Sequence, residues 1–64
     1  MNKINFEDMD ISIAYSIINM KLRDYYSSLE DFCANEEQDL KKLVEYFGNN
    51  GYYYDIEKNK FNIK

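Results

Sequence analysis

The sequence predicts a mainly α domain closed by a C-terminal β-hairpin, an α+β chain in the order α-α-α-β-β. Three observations carry that reading. Apolar residues recur at helical spacing in three stretches before Gly48. From Tyr52 onward a period of two replaces that spacing. Between these stretches stand Ser, Asn, Asp and Gly, the residues of caps and turns. At 64 residues the chain reads as one small domain, residues 1–64, near the lower limit for a self-sufficient core. Seven Tyr and four Phe offset the short length, because each large ring buries much area.

Residues 1–8 form an N-terminal arm in which Ile4 and Phe6 alternate among polar residues, as a short strand or as an arm laid over the core. Asp8 or Asp10 offers a side-chain oxygen to the free N–H groups that open the first helix. That helix is expected over residues 9–26. With about 100° per residue, Ile11, Ala14, Tyr15, Ile18, Leu22 and Tyr25 fall on one line. Met9, Ile13, Ile17 and Met20 form a second apolar line on nearly the opposite side. Ser12, Ser16, Asn19 and Arg23 fill one wedge between the two, and Lys21 stands alone in the other. A surface helix usually shows a single apolar face, so two faces imply cover on both sides. Either the tail and hairpin wrap the second face, or a partner does.

Ser27-Ser28 ends the first helix, and Ser27 with Glu30 or Ser28 with Asp31 has the spacing of a capping box. A short second helix, residues 28–34, buries Leu29, Phe32 and Cys33 at i, i+3, i+4. Cys33 is then a small core residue, since the chain has no His to activate a thiol. A third helix, residues 37–47, carries Leu40, Leu43, Val44 and Phe47 as its buried stripe, with Gly48 as its left-handed terminator. Asn50-Gly51 reads as a tight turn into the hairpin, residues 52–63. Pairing Tyr54 with Phe61 sets Tyr52 against Ile63 and puts all four on one face. The other face is Tyr53, Asp55, Lys60 and Asn62, with Asp55 opposite Lys60. Ile56 to Asn59 form the loop, and Asn59 suits a positive φ. A slip of one residue would scatter aromatic and charged groups onto both faces.

Three stretches in this order resemble a known family: Ile18-Asn19-Met20-Lys21-Leu22-Arg23-Asp24, Tyr26-Ser27-Ser28-Leu29-Glu30-Asp31, and Gly51-Tyr52-Tyr53-Tyr54-Asp55 leading to Lys58-Asn59-Lys60-Phe61. Together, from about Asp10 to Phe61, they resemble the small bacterial proteins of domain-of-unknown-function family 4250. The arm lacks the prolines of that family, and Asn35 to Asp39 departs from its turn into the third helix. The resemblance implies no activity, cofactor or catalytic residue.

The residues themselves offer little chemistry. Without His, imidazole acid–base work and the usual nucleophilic triads are excluded. One Cys and no His argue against zinc, and two Gly cannot make a phosphate cradle. Glu36, Glu37 and Asp39 fit no metal-loop spacing and read as a solvated acidic turn. No cofactor, metal or catalytic site is expected. A lone thiol suits a reducing compartment, and neither a membrane-length apolar run nor a signal pattern is present, so the expected location is the cytoplasm.

Two functional expectations follow. The first is a non-catalytic protein-interaction or adaptor module, with another protein or a second copy docking on Met9, Ile13, Ile17 and Met20. The alternative is a nucleic-acid-binding module, because the second and third helices plus hairpin have winged-helix-like order. Its contacts would be Lys41, Lys42, Tyr46 and Asn49 on the third helix and Lys58 and Lys60 on the wing. The formal net charge of -4 weighs against that alternative. Charge is segregated, however: residues 29–39 hold five acids and no base, whereas residues 40–64 hold five Lys against three acids.

Overall fold

Three side-chain caps set where the helices begin. A computed structural model describes residues 5–64. Asp10 accepts from the Ser12 N–H at 2.9 Å and opens α1, Ile11–Asp24. Ser28 Oγ accepts from the Asp31 N–H at 3.0 Å and opens α2, Leu29–Asn35. The Asp31 carboxylate reaches back to the Ser27 N–H at 3.4 Å, so the reciprocal half of the box lands one residue earlier than expected. Asp39 accepts from the Lys42 N–H at 3.0 Å and opens α3, Leu40–Asn49. Two antiparallel strands follow, β1 Tyr52–Asp55 and β2 Lys60–Ile63. Three helices and a hairpin are thus the α+β architecture expected, in the order of a winged helix.

The hairpin has the expected register at every pair: Tyr52↔Ile63, Tyr53↔Asn62, Tyr54↔Phe61 and Asp55↔Lys60. Asn59 takes the positive φ, 51°. One core joins all elements. Ala14, Ile18 and Leu22 of α1, Leu29, Phe32 and Cys33 of α2, Leu43 and Phe47 of α3, and Phe61 of β2 are all buried. Phe47 is its centre, with ring centroids 4.5 Å from Phe61 and 6.2 Å from both Phe6 and Tyr52. The arm delivers Phe6 to that centre through a 3-10 turn, Phe6–Asp8, rather than a strand, closed by Asn5 Nδ2 donating to Asp8 at 2.8 Å. Ile4 lies outside the described residues.

Several expectations need correction. Helix α1 is shorter than residues 9–26, and Tyr25, expected on its buried stripe, is 70% exposed. The helix ends at Asp24, so Tyr25 leaves the stripe and Tyr26 packs inward instead, edge-on to Phe32 at 5.6 Å. Helix α3 starts three residues late because Glu37 is left-handed, φ 55°, which no α-helix continues. It runs through Gly48 to Asn49, and the left-handed turn falls on Gly51, φ 91°, instead. Its stripe is narrower than expected: Leu40 and Val44 are 38% and 42% exposed. Leu43, Tyr46 and Phe47 turn toward the core; Val44 falls to one side of that line, and Leu40, on the line of Phe47, is exposed as the first residue of the helix. Ile63, expected inward, is 71% exposed at the end of β2.

Candidate interaction surface

Helix α1 presents two apolar faces of different fate. On the inner face Ala14 and Ile18 have no exposure and Leu22 has 2%. On the opposite face Ile13 is 53% and Met20 36% exposed. Ile17 and Met9, the other two residues of the second line, are half-buried and pack against the core from its margin. The outer face is therefore an apolar strip, open at Ile13 and Met20 and anchored at Ile17. Met9 is held from behind by the Tyr46 hydroxyl, which donates to its carbonyl at 3.2 Å.

Polar side chains on the flanks of α1 tie it to its neighbours. Asn19 donates from Nδ2 to the Phe61 carbonyl at 3.0 Å and accepts the Phe61 N–H on Oδ1 at 2.7 Å, so its amide pairs with β2 as a neighbouring strand would. At the C-terminal end, Asn59 Nδ2 donates to the carbonyls of Leu22 and Tyr26 at 3.1 and 2.9 Å, and its Oδ1 accepts from the Tyr54 hydroxyl. That hydroxyl also accepts the Leu29 N–H at 3.2 Å. On the other flank Glu36 accepts from Lys21 Nζ at 3.2 Å and from the Tyr26 hydroxyl at 2.6 Å. The Tyr26 bond, then Lys21, holds the Glu36 carboxyl below its usual range; the same bond raises the Tyr26 phenol.

Sequence reasoning placed Asn19 in a polar wedge and gave Lys21 no partner. The available signal was position: each stands beside the inner stripe, where a side chain reaches a neighbouring element rather than open water. Burial pushes the Cys33 thiol up to about 11, with Asp39 and Glu30 adding to it, and a thiol so held is a poor nucleophile.

The residues expected to touch nucleic acid do not converge. Lys41, Lys42 and Asn49 are exposed on α3, while Tyr46, expected outward, is half-buried with its hydroxyl committed to Met9. Lys42 lines a cleft of about 410 Å³ beside the 3-10 turn, shared with Glu7 and Asp39. Lys58 and Lys60 line a different cleft of about 370 Å³, with Ser16, Met20 and Arg23 of α1. The hairpin loop is bound to the C-terminal end of α1 through Asn59, while β1 packs against α3. Among the described residues, no group of three or more Cys, Asp and Glu gathers as a metal site. No helix among them is long and apolar enough to cross a membrane.

The family model described as Domain of unknown function (DUF4250) matches residues 8–61. No curated protein matches the chain significantly, and no solved structure does.

Proposed function

The chain belongs to the DUF4250 family, and on that premise we propose that it is a non-catalytic protein-interaction module of the cytoplasm that docks partners, a second copy among them, through the outer face of α1. One observation carries the reading: Ile13 and Met20, seven residues apart on one helix face, stand open to water with Ile17 seated between them. Large apolar side chains aligned in this way are the usual anchors of a helix-packing contact. The location rests on the single free cysteine, Cys33, which suits a reducing compartment.

Sedimentation equilibrium of the wild type against Ile13→Glu and Met20→Glu tests the docking face. Both positions are exposed enough to accept a charge without unfolding the domain. Association in the high micromolar range that each substitution abolishes supports the reading. Where the wild type is a clean monomer, capture of a protein from extract must depend on the same two residues, or the face is not a docking site.

A second reading, nucleic-acid binding, is favoured by one feature. The cleft beside Met20 is lined by Lys58, Lys60 and Arg23, the last paired with Asp24 at 2.9 Å, and no carboxylate lines it. Phosphate contacts made there would be strongly salt-dependent. Filter binding of duplex and single-stranded probes at two salt concentrations decides the matter. No salt-sensitive retention at micromolar protein removes this reading.

A further inference from the structure

The two edges of the hairpin are chemically unlike. Antiparallel pairing alternates between residues that exchange hydrogen bonds across the ladder and residues whose N–H and C=O point away from it. Phe61 gives its N–H and C=O to Asn19, at 2.7 and 3.0 Å, so the Tyr54↔Phe61 pair is of the second kind. The ladder bonds then fall on Tyr53↔Asn62 and Asp55↔Lys60. The Lys64 N–H, which donates to the Gly51 carbonyl at 2.9 Å, continues the same alternation. Tyr52 and Tyr54 therefore direct their N–H and C=O groups to the free edge of β1. Among the described residues no group outside the hairpin bonds to them. Backbone amides without a protein partner belong in water. The edge of β2 is closed by a side chain, and the edge of β1 is open.

We propose that the open edge of β1 pairs with the same edge of a second copy, antiparallel about a two-fold axis at Tyr53, giving a sheet in the order β2-β1-β1-β2. In that register Tyr52 lies opposite Tyr54 of the second copy and Tyr54 opposite Tyr52. The outward groups of both residues then bond across the axis. Tyr53 faces Tyr53, which supplies a cross-strand partner for a ring that is 45% exposed in the single chain. Asp55 comes opposite Gly51, so no like charges meet directly across the new pair. The strand is short and ends in the charged Asp55, but no Pro, no Lys and no bulge interrupts Tyr52-Tyr53-Tyr54. This contact uses a different surface from the α1 strip and stands or falls separately.

The test uses the full chain with Tyr53→Lys and Tyr53→Glu, whose side chains lie on the exposed face of β1. Sedimentation equilibrium and amide exchange of Tyr52 and Tyr54 are the readouts, with the hairpin's backbone resonances as the check on folding. In the wild type both amides exchange rapidly at low micromolar concentration and become protected as dimer forms at millimolar concentration. Each charged variant alone is expected to weaken association at least tenfold, and an equimolar mixture of the two to restore it, because the residue meets itself. Tyr53→Thr, uncharged and strand-favouring, keeps association within a few-fold of wild type. Unchanged exchange at millimolar concentration overturns the proposal, as does a mixture that associates no better than its components. Loss of association in Ile13→Glu with none in Tyr53→Lys assigns all self-association to α1 and also overturns it. Protection that appears in cell extract but never with the pure chain means that a foreign strand occupies the edge, again against the proposal.

Discussion

The inner and outer faces of α1 are nearly equal in composition and opposite in environment. Ala14, Ile18 and Leu22 are sealed; Ile13 and Met20, just as apolar, meet solvent. What separates them is the material available to cover a helix in a small domain. The arm, α2, α3 and hairpin close over one side and reach only the margin of the other, at Ile17 and Met9. An apolar pattern records which faces resist water, and topology decides which face is covered within the chain.

Four substitutions taken around the helix sharpen that contrast, in descending order of effect. On the inner face, Ile18→Ala should cost about 2–5 kcal/mol in a urea titration, the range for truncating a fully buried aliphatic residue. A loss well under 1 kcal/mol there would mean that the two faces are energetically alike. On one flank, Asn19→Leu leaves the Phe61 N–H and C=O without their partner, which should cost about 1–3 kcal/mol and accelerate Phe61 amide exchange. On the opposite flank, Glu36→Gln should cost about 0.5–1 kcal/mol, since its ion pair with Lys21 is partly solvated.

That third substitution also has a pH signature. The folded carboxyl of Glu36 lies below its ordinary 4.5, so its contribution is complete above 4.5 and is lost as pH falls through the depressed value. The variant should show a shallower acid decline in thermal midpoint than the wild type. On the outer face, Ile13→Glu should change monomer stability by no more than about 0.5 kcal/mol, measured at a concentration too low for association.

What could be read from the residues alone follows a physical division. The hairpin register was legible because a two-residue period with four aromatic or aliphatic side chains on one side rules out a slip of one residue, and a short loop with Asp55 opposite Lys60 selects among the rest. The inner stripe of α1 was legible for the same kind of reason. The late start of α3 was not, since it depends on Glu37 taking a left-handed conformation that nothing in its side chain favours. Nor was the exposure of Leu40, which follows from the helix starting there, or of Val44, which lies to one side of the line through Leu43, Tyr46 and Phe47. The Asn19–Phe61 pair joins residues 42 apart, and local periodicity carries no information about a bond of that span. Of the candidate surfaces, the residues of the α1 strip were legible, and the difference between the hairpin's two edges emerged only once Asn19 was located.

The hairpin closes the ends of helices it does not belong to. Asn59 satisfies carbonyls where α1 finishes, and Tyr54 satisfies an amide where α2 begins. A chain cut after Gly51 would therefore lose more than two strands, because both helices would fray at the corner they share. Fragments of this protein should not behave as autonomous helical bundles, and its melting should be a single concerted event rather than a stepwise one.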